Sequence, residues 1–427
     1  MRALAFLLVL LLSACATPAP RPVSFDQLAR EYVGLILEIG EHEAGYVDAY
    51  YGPPEWREQA KRNKRSVPAL KAEAERLLTL AAELPPSDDQ LVRKRRAFLL
   101  AHLRAARFRL NMIEGSRPPF QDEAEALFGV RPELRPLSAY DPVLARIEAI
   151  VPDGRGTLAE RVERYRQRYV IPKDRLDRVM RAAIAECRRR TAQHIQLPPD
   201  EAFTLEFVTG KSWSGYNYYQ GRHKSLIQIN TDLPIYIDRA VDLGCHEGYP
   251  GHHTHNVLLE SRLVERRGFT ELSVYPLFSP VSFIAEGTSN YGIDLAFPGL
   301  QRTAFEAQTL YPLAGLNPAG ASAYARLREA LRDLQGARFT IAADYLDGRI
   351  TRAQALELVQ RYQLVSRERA EQSLRFNDEY RSYVINYGLG QDRARAHVEA
   401  AGATPAARWD ALERLLSEPT LPSDLRR

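Results

Sequence analysis

Apolar residues recur every three to four positions along most of the chain, the spacing of helices with one buried face. The stretch FDQLAREYVGLILEIGEHE (25–43) places Leu28, Tyr32, Leu35 and Ile39 on such a stripe. SDDQLVRKRRAFLLAHLRAARFRLNMI (87–113) opens on Ser87 and two acidic residues, a helix-start signal, and then runs amphipathically to Ile113. Further helices are predicted near 157–169, 174–195, 320–347, 351–365, 367–387 and 406–417, with no tandem repeat. Two segments break the pattern. FTLEFVTG (203–210) alternates like a strand, and SLIQIN (225–230) is a second candidate. KSWSGYNYYQGRHK between them reads as a loop or hairpin connection. The pattern predicts a mainly α protein with a small β-sheet just ahead of residue 245. Residues 25–197 form an N-terminal helical region and 198–427 a second region carrying the chemistry.

Composition alters little. At 427 residues the chain exceeds a typical domain of about 100–200 residues. Its 45% hydrophobic and 26% charged residues are ordinary for a globular protein. The net charge of +4, with arginines scattered along many segments, gives no case for nucleic-acid binding.

The N-terminus adds an address. Arg2 is followed by an apolar run, Ala3 to Leu12, too short to span a bilayer comfortably and typical of a secretory signal. The run ends in Leu12-Ser13-Ala14-Cys15, which resembles the lipobox of bacterial lipoproteins, in which the Cys becomes the lipidated first residue. Residues 1–15 then act as signal, Cys15 as lipid anchor to the membrane, and 16–24, Pro-rich, as tether. Ala16 follows the Cys, so no Asp signals inner-membrane retention, and the expected address is the periplasmic face of the outer membrane. Cys187 and Cys245 remain. Two cysteines make no disulfide framework; they can pair, but nothing in the sequence requires it, and Cys245 reads as a small buried apolar residue.

The candidate chemistry lies in CHEGYPGHHTHN (245–256), where four of nine histidines fall within ten residues. In H-E-x-x-H the two His are four residues apart, about 400° of rotation, so they share a helix face and grip one zinc ion. The intervening Glu serves as general base. Here six residues separate His246 from His252, about 600°, which leaves them roughly 120° apart on a straight helix. His253 returns to the face but lies about 10.5 Å along the axis. Pro250 interrupts the helix and Gly251 permits unusual backbone angles, so a two-residue bulge would bring a second His back. Whether His252 or His253 arrives stays open on spacing alone.

A catalytic zinc commonly takes two His and one carboxylate. PVSFIAEGTSNYGIDLAF (280–297) supplies Glu286 inside an apolar helix, where a charge needs a partner. Asn290 and Asp294 follow on nearly the same face, placed to orient an imidazole from behind. HEGYPGHH followed by AEG resembles the bacterial domain-of-unknown-function 885 family over roughly residues 200–400. That family is itself similar to the gluzincin metallopeptidases, including the carboxypeptidase Taq and oligopeptidase groups. The resemblance implies a metallopeptidase-like helical fold, zinc held by His246, His252 and Glu286, and Glu247 as general base. One departure is Gly287-Thr288-Ser289, where the family more often has Gly-Trp-Ala.

Oxyanion donors are sought among Tyr383 and Tyr387, with Tyr387 preferred because related proteins carry Tyr-x-Gly there. His223 is the next candidate. SLIQIN is expected to be a sheet edge on which an extended peptide could lie. His42, His102, His194 and His397 read as surface or packing residues, and His255 as facing away from the metal. The expected protein is a membrane-tethered zinc peptidase of carboxypeptidase or oligopeptidase type. The alternatives are a metal-dependent amidase or esterase, or an inactive helical envelope-binding protein.

Overall fold

The computed structural model describes residues 24–425; the signal, Cys15 and the tether up to residue 23 lie outside them. The fold is mainly α. One large apolar core runs from Leu28 to Leu425 and draws on both regions, without a break near residue 197. Among the described residues no helix is long and apolar enough to cross a membrane.

Most predicted helices form, and the departures have physical causes. The expected helix 87–113 starts at Gln90, because Asp89 caps it by accepting the N–H groups of Leu91 and Val92. The stretch 320–347 is two helices, Ala321–Arg332 and Gln335–Leu346. The stretch 367–387 also divides. Helix Arg367–Tyr380 ends where Arg381 adopts a positive φ of 51°, and a new helix begins at Ile385. The buried carboxylate of Glu123 holds this break. It accepts from Arg381 Nε at 2.6 Å and from Ser382 N and Oγ at 3.1 and 2.7 Å. Helices Pro54–Asn63 and Val67–Glu83 add to those expected.

Among the described residues, five strands form two small sheets. Strand β1 (Val47–Tyr50) pairs antiparallel with β5 (Val274–Pro276), joining the N-terminal region to the second. Strands β2 (Ala202–Val208), β3 (Gly215–Gly221) and β4 (Lys224–Asn230) have the order β2-β4-β3, with β2 parallel and β3 antiparallel to β4. The expectation that SLIQIN forms an edge is corrected: it is β4, the central strand. The edges are β2 and β3, the latter from the segment read as a connection. The alternation of β3 is hidden because both faces carry polar or aromatic residues, Asn217 and Tyr219 inward and Tyr218 outward. A two-residue turn, Arg222-His223, links β3 to β4. Both residues have positive φ, as a tight hairpin requires, and Glu260 accepts their N–H groups at 2.9 and 3.0 Å.

Cys187 and Cys245 form a disulfide, so Cys245 is bonded rather than merely packed. The bond ties helix Leu176–Thr191 to helix Asp238–Glu247, which bears His246 and Glu247. Closing a loop between residues 58 apart is worth ~4 kcal/mol in the chain-entropy picture. The Cys187→Ser, Cys245→Ser double variant is therefore expected to unfold at markedly lower denaturant, and added reductant should not lower its midpoint further.

Candidate metal centre

Helix Asp238–Glu247 ends immediately after the first His-Glu pair, and a second helix begins at His252. Between them Gly248-Tyr249-Pro250-Gly251 makes a break, with a cis peptide at Tyr249-Pro250. This is a full interruption rather than the bulge expected from spacing. A side chain at Gly251 would put its Cβ 1.8 Å from the His246 carbonyl oxygen, so only glycine lets the chain fold back this tightly. Pro250 packs on Gly292 of helix Pro280–Ala296, where a Cβ would lie 2.6 Å from the ring. The breaker thus seats the motif on the helix that carries Glu286.

The fold-back settles the geometry of the second His. The Nε2 atoms of His246 and His252 lie 3.2 Å apart. Glu286 Oε2 is 3.0 Å from His246 Nε2, and Oε1 is 3.7 Å from His252 Nε2. His253 points the other way, fully buried, with Nδ1 on Ser225 Oγ at 2.8 Å and Nε2 on Glu201 Oε2 at 2.9 Å. Glu201 also binds Tyr249 and Arg188, bracing the break from behind.

Donor atoms of His246, His252 and Glu286 lie within 4.8 Å of one another, close enough to hold a metal ion. Three features fit such an ion. First, Asn290 Oδ1 sits 3.0 Å from His246 Nδ1, while the amide nitrogen donates to Tyr387 O at 3.2 Å. The amide's orientation places the proton of His246 on Nδ1 and leaves Nε2 as a lone pair. Second, the nitrogen separation matches the ~3.3 Å edge of a tetrahedron with bonds of about 2.05 Å. Third, Glu286 Oε2 is buried without a hydrogen bond, whereas Oε1 accepts from Tyr383 at 2.7 Å. An orphaned carboxylate oxygen facing a nitrogen lone pair is costly unless a cation lies between them.

Charge supports the same fit. Asp48, Glu247 and Glu286 all face one buried space. Burial pushes Glu247 up to about 8, His252 draws it back and Glu286 raises it again. Burial likewise pushes Asp48 up to about 6, against the hydrogen bond it accepts from Tyr216 at 2.6 Å. For Glu286 burial pushes upward too, and only positive charge on His252 and His246 holds the carboxyl well below the usual range; with their Nε2 lone pairs free, a bound cation would have to supply that charge. Bound positive charge would relieve the crowding of these carboxylates.

The centre opens on a cleft of about 1250 Å³ lined by His246, Glu247, His252, Glu286, Tyr383 and Tyr387. Strand β3 forms part of its wall through Gly215, Tyr216 and Asn217. Asn217 donates to Glu247 O at 2.6 Å, and a Cβ on Gly215 would lie 2.7 Å from Glu247 Oε1. Glu247 thus stands between the edge strand and the donor cluster.

The other candidates divide. Tyr387 is half-buried beside the centre, its ring 6.2 Å from that of His246, and its hydroxyl bonds to none of the described residues. Tyr383 holds Glu286 instead of facing the cleft freely. His223 is not brought to the site. It occupies the β3–β4 turn, 3.1 Å from Asp200, and does not line the cleft. Asp294 orients no imidazole; it binds Arg332, Arg395 and Gln391. His255 is buried and also outside the cleft lining. Asp48 escapes sequence reasoning: its one signal, an acid amid tyrosines in YVDAYY, is weak. Gly287 has a packing reason, since a Cβ there would lie 2.5 Å from the Gly390 backbone where two helices cross.

Asn290→Ala is expected to weaken metal binding ~10–100-fold, read by competition with a chromogenic chelator. Asp294→Ala, which breaks contacts with Arg332, Arg395 and Gln391 but none with the three donors, is expected to leave metal affinity near wild type.

No protein-family model matches the chain, and a search of curated proteins finds no match. Among solved structures it is similar to that of "the putative lipoprotein from Colwellia psychrerythraea", with a TM-score of 0.64 and 12% sequence identity. The match covers 94% of this chain and 98% of that one. At that identity the likeness is one of fold.

Proposed function

We propose that this protein is a zinc-dependent hydrolase of peptide bonds, tethered to the cell envelope by lipid on Cys15. The observation that carries the reading is the convergence of His246, His252 and Glu286, with Glu247 beside them in the lining of a large cleft. The resemblance of HEGYPGHH and AEG to a gluzincin-like family favours the same chemistry. Two imidazoles and one carboxylate suit zinc and leave a coordination position open.

When bound, such an ion supplies Lewis acidity, polarising a carbonyl and making water easier to deprotonate. The chain's residues do the rest. Glu247 Oε accepts the water's proton and delivers it to the departing amine. Its burial against Gly215 excludes bulk water from that exchange. The Tyr387 hydroxyl is available to donate to the oxygen that gains charge. Tyr383 holds Glu286 in one rotamer, and Asn290 holds His246 in one tautomer. Edge strand β3 offers backbone groups to an extended peptide.

The envelope address rests on the lipobox-like Leu12-Ser13-Ala14-Cys15. A fold shared with a protein described as a lipoprotein agrees with it, and so does a disulfide, which persists in oxidising compartments. The periplasmic face of the outer membrane is the proposed site.

The test is a panel of unblocked peptides, matched esters and simple amides, assayed with and without a chelator. Peptide cleavage lost on chelation and restored by zinc is expected. Turnover of esters alone would replace the peptidase reading with an esterase.

A further inference from the structure

Strand β3 and the residues leading into it carry a row of aromatic rings that runs out of the cleft. The rings of Trp213 and Tyr216 lie 5.4 Å apart with planes 24° from parallel, and those of Tyr216 and Tyr218 lie 6.4 Å apart at 32°. Trp213 and Tyr216 line the cleft. Tyr218, two residues further along the same face of the strand, is 42% exposed. In register beside the tyrosines stand Gln228 and Leu226 on β4, then Glu206 and Thr204 on β2. Gln228 also lines the cleft, and its amide donates to Glu206 at 3.2 Å. A single exposed tyrosine is ordinary, but a row of rings continuous with a cleft marks a binding surface.

The inner end of the row touches the centre. The Tyr216 hydroxyl donates to Asp48 at 2.6 Å. Gly215, its neighbour in the strand, lies so close to Glu247 that a Cβ would stand 2.7 Å from Oε1. A ligand lying along the rings therefore has one end beside the carboxylate that handles the proton.

The chemistry of the row identifies the ligand. A pyranose sugar presents a face of C–H groups and a rim of hydroxyls. The C–H face stacks on the electron-rich face of Trp or Tyr, and the hydroxyls pair with amides and carboxylates such as Gln228 and Glu206. A protein partner calls instead for an apolar patch around the rings, and of the four side chains in register with the tyrosines only Leu226 is apolar. A row of rings suits a chain of repeating sugars, and in a bacterial envelope the glycan that carries short peptides is that of the cell wall.

We propose that Trp213, Tyr216 and Tyr218 bind the amino-sugar glycan of the cell wall, and that the substrates are peptides still attached to it. The substrate assignment rests on the peptidase reading above; the glycan site does not.

The test is calorimetry of wild-type protein with chitohexaose, a hexamer of N-acetylglucosamine, beside maltohexaose and acetyl-triphenylalanine amide. Chitohexaose should bind and the other two should not. Tyr218→Ala and Trp213→Ala should each weaken binding ~2–10-fold, the range for one aromatic contact. Tyr218→Phe, which keeps the ring, should bind like wild type. Tyr218 is at the surface, so its variants decide should Trp213→Ala fail to fold by circular dichroism. Absence of chitohexaose binding, or binding that both alanine variants leave unchanged, would overturn the proposal. Equal binding of maltohexaose would keep a sugar platform and overturn the cell-wall assignment. Binding of the triphenylalanine peptide alone would reassign the rings to apolar side chains and overturn it too. Substrate use is read separately, with a disaccharide-linked tetrapeptide from cell wall and the same tetrapeptide free. A higher kcat/KM for the linked peptide, lost in Tyr218→Ala, is expected. Equal rates, with chitohexaose bound, would overturn the substrate assignment and spare the peptidase reading. Chitohexaose binding without cleavage of any peptide would keep the glycan site and remove the peptidase.

Discussion

Replacing Glu247 by Gln should lower kcat ~10²–10⁴-fold while the metal content stays at the wild-type level. Glutamine keeps the size of the side chain but cannot accept the water's proton. Glu247 is not one of the three converging donors, and the contact from Asn217 goes to its backbone oxygen, so the substitution leaves the architecture alone. A pH signature accompanies the loss. In metal-free protein Glu247 has a folded pKa raised from 4.5 to about 8, chiefly by burial. A raised carboxyl favours folding below its unfolded pKa and loses that contribution as pH climbs through the folded one. Relative to wild type, the Gln variant in chelator should therefore gain stability between pH 4.5 and 8. Thermal unfolding at about pH 5 and about pH 8 reads the difference. A Gln variant with full turnover would remove Glu247 from the chemistry.

The second large effect is structural. Gly251→Ala should cost ~4 kcal/mol or more, or prevent folding, because its Cβ would meet two backbone carbonyls, 1.8 Å from His246 O and 2.4 Å from Cys245 O. Backbone atoms cannot step aside as a flexible side chain can. Relief would require the break to open, which would carry His252 away from His246. Stability and metal affinity should fall together. Gly34→Ala is the control: nothing lies within 4 Å of the place its methyl group would take, inside helix Phe25–Gly40. There the substitution should stabilise by ~0.5–1 kcal/mol. An alanine tolerated at 251 would mean that the two helices join differently.

The helical character and the identity of the three donors are legible in the sequence because they leave local marks. Amphipathic spacing is written within a few turns, and the out-of-register His252 coincides with the Pro-Gly that corrects it. Glu286 stands out as a charge in an apolar helix. What is not legible depends on partners far along the chain. The break at Arg381 depends on Glu123, and without it the tyrosine pair cannot be told apart: Tyr383 binds Glu286 while Tyr387 faces the cleft. Strand β3 lacks an apolar alternation, so the sequence points to β4 as the sheet edge instead. His223 looks available because nothing local says that it sits in a hairpin turn paired with Asp200. Asp48 reaches the centre from β1, which exists only through its pairing with β5. The Cys187–Cys245 bond likewise joins two helices whose adjacency the sequence does not announce.

The most direct test of the account is elemental analysis of the purified protein, before and after incubation with zinc, beside the His246→Ala, Glu286→Ala double variant. The account predicts about one zinc ion per chain in wild type and close to none in the variant. Absence of metal from wild type even after incubation, or an undiminished content in the double variant, would contradict it.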